Sequence, residues 1–210
     1  MKTYGRAVLT IMILVLSASM LAASEISFSG GYTKIDMQQG NRRVILSGGA
    51  RVSTEIVELT SESIELYGEN YRYVTCSGDV RCTESEKGIS FTSPDLIYDR
   101  TEGIVRSDSW IEIQDTEHEV ALSGAWFEYD MGRSFMKLQM MAKIIKVTDE
   151  GLMVCRADSI EYDGELNTVS LKGNANVTWN NDTYKAAMIV VDLNTNAISL
   201  YGTISGEFNG

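Results

Sequence analysis

The 210-residue chain has one proline, one histidine and three cysteines, and beyond its first two dozen residues no long apolar run. One histidine, His118, excludes histidine-rich metal sites and leaves a histidine-based triad without material. It stands in the charged stretch Asp115–Glu119 and reads as an exposed turn residue. One proline beside eighteen glycines suits a meander of strands joined by tight turns. Basic residues are also scarce, 18 against 29 acidic, for a formal charge of −11. The clustered cations that nucleic acid or an anionic bilayer requires are therefore not expected. No glycine loop to cradle phosphate and no short oxygen-rich calcium loop is present. The chain is not expected to be an enzyme, and neither a metal nor a cofactor is implied.

Three cysteines cannot all pair. Cys76 and Cys82 lie on one alternating stretch, about 20 Å apart if extended, too far to bridge each other. Buried free thiols, or one bridge to Cys155, remain open. The N-terminus is different in kind. Lys2 and Arg6 precede the uncharged run Ala7–Met20, which ends in the small residues Ala22, Ala23 and Ser24. That is the pattern of a secretory signal peptide over residues 1–24, cleaved before Glu25, and it places the protein in the periplasm or outside. The alternative is a retained membrane anchor, for which the run is short. Loss of residues 1–24 removes two cations and no acid, and leaves one acidic domain, 25–210.

What the chain does contain is a repeat. Asp36, Tyr67, Asp99, Asp130, Asp163 and Asp192 recur at spacings of 31, 32, 31, 33 and 29. Just before them stand Ile35, Leu66, Tyr98, Tyr129, Tyr162 and Val191, and two residues earlier Thr33, Ile64, Leu96, Phe127, Ile160 and Ile189. After each turn alternation resumes, as in Leu171, Gly173, Ala175 and Val177. A second set of polar turns, among them Ser53–Glu55 and Asn180–Asp182, closes the other end of each unit. Period two throughout predicts antiparallel hairpins, about six strand–turn–strand units stacked in an all-β array. The turn aspartates read as structural, accepting hydrogen bonds from their own turns. Such a stack has two edge strands, at residues 25–34 and 197–206. Neither the last strand nor the first is blunted, so end-to-end association is expected.

One face of the array is apolar: Ile64, Leu66, Leu96, Tyr98, Ile111, Ile113, Phe127, Tyr129, Leu138, Met140, Ile144, Ile160, Tyr162, Leu171, Val177, Ile189, Val191, Leu200 and Ile204. Periodicity leaves two readings open. Either these residues form a solid core, or the layers splay into an apolar groove that admits acyl chains.

The motif Ala157-Asp-x-Ile-x-Tyr-Asp163, followed by Val169-x-Leu-x-Gly-x-Ala-x-Val177, resembles the OstA-like family, whose members include LptA, LptC and the N-terminal domain of LptD. Weaker copies end at Asp99, Asp130 and Asp192. The resemblance implies an elongated twisted β-jellyroll, or β-taco, whose two antiparallel sheets form a V around a lipid-binding groove lined by the apolar set above. It implies a non-catalytic, periplasmic bridge that shields lipopolysaccharide or a related envelope glycolipid on its way to the outer membrane. The implied partners are LptC-like and LptD-like domains and further copies of the chain, with no nucleic acid. The alternatives are a membrane-anchored LptC-like component and an exported structural β-repeat without cargo. Ser109 and Met140 depart from the family by standing where its second half-unit usually has glycine.

Overall fold

The computed structural model describes residues 26–37, 42–86, 88–117, 119–149, 151–195 and 197–207; residues 1–24, expected to be a signal peptide, and His118 lie outside them. The chain enters through β1 (Ser27–Ser29), β2 (Tyr32–Asp36), β3 (Arg43–Ser53), β4 (Val57–Tyr67), β5 (Tyr73–Glu84) and β6 (Ile89–Asp99). Four short strands follow: β7 (Ile104–Ser107), β8 (Ile111–Asp115), β9 (Val120–Gly124) and β10 (Trp126–Asp130). It closes with β11 (Phe135–Thr148), β12 (Gly151–Asp163), β13 (Thr168–Trp179), β14 (Asp182–Asp192), β15 (Ile198–Tyr201) and β16 (Ser205–Glu207). All belong to one antiparallel sheet built mainly by pairing strands that are close in sequence. The expected elongated all-β stack of repeated units is present.

The turn aspartates do what their positions predict. Asp163 Oδ1 accepts the amides of Glu165 and Leu166, both at 3.0 Å. Asp192 Oδ1 accepts those of Asn194 and Thr195 at 2.8 and 3.0 Å. Asp99 Oδ1 accepts those of Thr101 and Glu102 at 3.0 and 3.2 Å, and Asp130 that of Arg133 at 3.0 Å. In each case a carboxylate satisfies donors that the hairpin reversal leaves unpaired.

The register slips once in the middle of the long pairs, between Ser47 and Ala50, Ser77 and Val80, Gln139 and Ala142, and Lys172 and Ala175. The skipped residues have positive φ: Gly48-Gly49, Gly78-Asp79, Met140-Met141 and Gly173-Asn174. These are β-bulges, which bend a strand and sharpen its twist. Pro94, which has no N–H for a ladder, sits opposite one of them, between Ser93 and Asp95. Where the third unit has no glycine the strand breaks outright, between β7 and β8. There Ser93 Oγ lies 2.9 Å from Ser107 Oγ and donates to the Trp110 carbonyl, while Ser109 Oγ donates to Asp95. Aligned from strand to strand, bulges and break form a crease across the sheet.

The crease folds the sheet onto itself. Leaf I, on the side of the aspartate turns, carries Phe127 and Tyr129. Leaf II, on the side of the other turns, carries Phe91 and Glu84. In a flat sheet Glu84 would lie roughly 30 Å from the row of Tyr129, yet the Tyr129 hydroxyl donates to Glu84 Oε2 at 3.3 Å. The Phe91 ring lies 5.2 Å from Phe127 and 5.9 Å from Tyr129, centroid to centroid. The two leaves thus pack face to face on one continuous apolar core. Full burial of such side chains as Leu46, Ile64, Phe127 and Leu171 contributes about 1.5–3 kcal/mol each.

This arrangement corrects the expected open V. The interior is filled in the manner of a barrel core, and the cavity left at its mouth measures about 50 Å³. It also removes two residues from the apolar face. Met140 is 57% exposed because the bulge rotates it out, and Ile204 is 57% exposed because it falls in the gap between β15 and β16.

All three cysteines are buried free thiols. Burial pushes Cys76 and Cys155 up to about 12, and Cys82 is raised further by burial, with Cys76 and Glu84 nearby.

Candidate functional site

The mouth of the fold is where the leaves could part, and its two lips can be read off the registers. Residues directly opposite in a ladder share a face. On leaf I the innermost row before the aspartate turns runs Leu66, Val74, Tyr98, Val105, Tyr129, Met136, Tyr162, Val169 and Val191. On leaf II the matching row runs Val57, Glu84, Ile89, Asp115, Val120, Lys146 and Met153. One lip therefore presents the recurring tyrosines Tyr98, Tyr129 and Tyr162, and the other the ionisable side chains Glu84, Asp115 and Lys146.

These rows meet. Glu84 is 2% exposed and receives the Tyr129 hydroxyl. Tyr129 is held well above the ordinary phenol range, first by burial and then by the negative charge of Glu84. Tyr162 is raised by burial and then by Asp115 across the seam, and Tyr98 by burial, with Glu84 among the smaller causes. The phenols stay neutral, and Tyr129 serves as a donor to the opposing carboxylate. Beside them lies the small cavity, lined by Met136, Tyr162, Val169 and Val191 on one side and Ile89, Val120 and Met153 on the other, with Asp115 and Lys146 at its entrance. The site is an apolar interior closed by a polar seam.

Of the apolar residues expected to act together, fifteen are inside and share that interior: Ile64, Leu66, Leu96, Tyr98, Ile111, Ile113, Phe127, Tyr129, Leu138, Ile144, Ile160, Leu171, Val177, Ile189 and Val191. Tyr162 and Leu200 are half-buried and pack against it. Met140 and Ile204 are outside. Sequence reasoning missed Phe91, Met136, Met153 and Glu84. The signal for Glu84 was present: it continues the inward phase of Val80 and Cys82, a position where an acid has to be explained.

Among the described residues no cluster of metal-binding side chains occurs, and no helix is long and apolar enough to cross a membrane.

Residues 127–197, the stretch from β10 through β14, match the family described as LptA/(LptD N-terminal domain) LPS transport protein. The crystal structure of LptH, the LptA-homologous periplasmic component of the lipopolysaccharide transport device of Pseudomonas aeruginosa, is 13% identical. The match covers 89% of this chain and 96% of that one, with a TM-score of 0.29. No curated protein matches this chain.

Proposed function

We propose, from the relationship of this chain to the LptA/LptD N-terminal-domain family through residues 127–197, that it is a periplasmic, non-catalytic component of a lipopolysaccharide-transport bridge. The single observation that carries the reading is that match. It spans the strands that supply Phe127, Tyr129, Ile160, Tyr162, Leu171 and Val191, which form much of leaf I's inner wall. The bridge function is a family-level statement. The finer proposal is how lipid would be held.

Acyl chains enter between the leaves at the seam. A cavity of about 50 Å³ holds water-sized contents only, so loading requires the lips to part and the β-taco to open from its filled form. The crease is the hinge, since its bulges already break the ladder. Each methylene moved from water into the apolar interior contributes about 0.8 kcal/mol. Opening breaks the Tyr129–Glu84 hydrogen bond and parts apolar side chains that pack across the leaves, such as Phe91 and Phe127, and an acyl chain that enters takes the place of those contacts. The groove residues are then the buried set together with Tyr162 and Leu200.

Copies of the chain, or related domains, join edge to edge. The first edge exposes Tyr32 and Ile35 and the last Tyr201 and Ile204, and all four are unusually apolar for free edges.

One observation favours a second reading: the filled interior suits an exported structural β-repeat without cargo. A photoreactive benzoylphenylalanine placed at Tyr162, at the seam, and in a separate protein at Ser170, on the outer face of the same leaf, separates the two. Crosslinking to acyl lipid at position 162 and not at 170 supports transport. No lipid at either site, in protein purified from membranes, leaves the structural repeat.

A further inference from the structure

Charge is distributed differently on the outer faces of the two leaves. On leaf I the outward row Arg106, Glu128, Lys137, Glu161 alternates in sign, each residue directly opposite the next. Ion pairs close across it, Arg106–Glu128 at 2.7 Å and Lys137–Glu161 at 3.6 Å, with Lys172 joining Glu161 at 2.6 Å. Leaf II has no such balance. Its outward row beside the crease holds Arg51, Arg81, Lys143, Arg156 and Lys185, with Glu112 as its one acid. Arg51 pairs with Glu58. Among the described residues Arg81, Lys143, Arg156 and Lys185 form no ion pair.

Their neighbours in the ladder are neutral: Thr60 and Thr92 beside Arg81, and Asn176 between Arg156 and Lys185. Lys143 and Arg156 stand directly opposite each other. Like charges so placed destabilise a sheet. On a protein with 29 acidic side chains these four cations stand in line without an ion-paired carboxylate among the described residues.

The row flanks a furrow that follows the crease on the outside of the molecule. Around Trp110 and Met141 the furrow measures about 590 Å³, an order of magnitude more than the interior cavity. Trp110 is 43% exposed there and Met141 78%. Hydroxyl and amide groups on its surface come from Thr92, Ser123, Asn174, Asn176 and Thr203. The carboxylates that share it are Glu112, which accepts the Trp110 indole N–H at 3.4 Å, Asp158, which accepts Asn174 at 2.9 Å, and Glu62 and Asp79 near Arg81.

We infer that this furrow is a binding site for a linear anionic glycan, held by Arg81, Lys143, Arg156 and Lys185 with a sugar face against Trp110. A furrow suits an extended chain better than a flat bilayer. It crosses the strands on their face and is not a sheet edge, so a peptide could not add to it as a strand. An aromatic face with rows of hydroxyl and amide groups suits sugar rings, and unpaired cations suit their acid groups. The site lies on the far side of the crease from the seam, so its ligand is separate from any lipid held inside, and the inference does not rest on that reading.

The test uses the full chain and fluorescently labelled polygalacturonate, with neutral dextran, polyglutamate and phosphatidylglycerol vesicles as the other arms. Binding of polygalacturonate that weakens with added salt, and that falls at least about tenfold in Arg81→Gln/Lys143→Gln/Arg156→Gln/Lys185→Gln, is the result expected. Trp110→Ala weakens it several-fold, and Arg106→Gln/Lys137→Gln on leaf I leaves it unchanged. Circular dichroism confirms that each variant is folded, and the single change Lys185→Gln serves if the quadruple variant is not. No binding by the folded wild type overturns the inference. So does equal binding by the folded variants, or stripe-dependent binding of polyglutamate or vesicles at least as tight as that of the glycan.

Discussion

Asp99 combines two tasks, a turn cap and an ion pair. One oxygen caps its own turn through Thr101 and Glu102, and the carboxylate also receives the Arg72 guanidinium, Nη2 to Oδ2 at 2.7 Å and Nε to Oδ1 at 2.9 Å. The Arg72 bonds, then the turn amides, hold the carboxyl below the ordinary carboxylate range. Its folded value lies below its unfolded one, so the stability it supplies is present above the usual aspartate range near pH 4 and is lost as pH falls below it. Asp99→Asn is expected to cost about 1–3 kcal/mol at neutral pH in urea melts, and to flatten the acid limb of stability against pH. The thiols give a second residue-scale expectation. Buried, with Cys76 and Cys155 pushed up to about 12, they should react with a disulfide reagent at pH 8 only as fast as the protein unfolds. The turn aspartates were legible from their spacing, and the lack of a bridge between Cys76 and Cys82 from their separation on one strand.

At the scale of the strand, the crease decides the behaviour of each repeat. Gly78 has φ +79°, and a Cβ there would stand 2.8 Å from Glu62 Cβ and closer still to its carboxylate. Gly78→Ala should therefore destabilise by roughly 1–3 kcal/mol, through strain and displacement of Glu62. Met140 shows the opposite case. It occupies the equivalent bulge with φ +58°, a conformation that costs a side-chain-bearing residue about 1–2 kcal/mol. Met140→Gly should raise the urea midpoint, with a net gain of up to about 1 kcal/mol once the freer unfolded chain is counted. The alternation Leu138, Met140, Ala142 reads as a continuous inward face in the sequence. The bulge is invisible there because a methionine, unlike glycine, announces no positive φ.

Across the whole molecule the seam is the weak line. Tyr129→Phe removes one donor to the buried Glu84. It should lower stability by about 1–3 kcal/mol and, on the proposed function, speed entry of a fluorescent acyl probe relative to the wild type. A slower or unchanged uptake in a folded variant would count against opening at the seam. The exposed edges give a further expectation. Ile35→Lys with Ile204→Lys places charges on both edge regions and should shift the chain toward monomer in sedimentation velocity, since a charged edge strand resists pairing.

Period-two patterning, turn chemistry and a spacing near 31 residues were enough to establish the strands, their antiparallel order, the structural aspartates and most of the interior. These are local properties, and a one-residue error in register would have turned every apolar side chain outward. The sequence could not show where the sheet creases, because that depends on bulges formed between neighbouring strands. Nor could it show that the leaves close on each other, since Phe91 with Phe127 and Glu84 with Tyr129 are pairs made by folding across the crease. The same holds for the cations. An overall charge of −11 argues against nucleic acid or an anionic bilayer as a partner, and only the strand registers bring Arg81, Lys143, Arg156 and Lys185 into one row on an acidic protein.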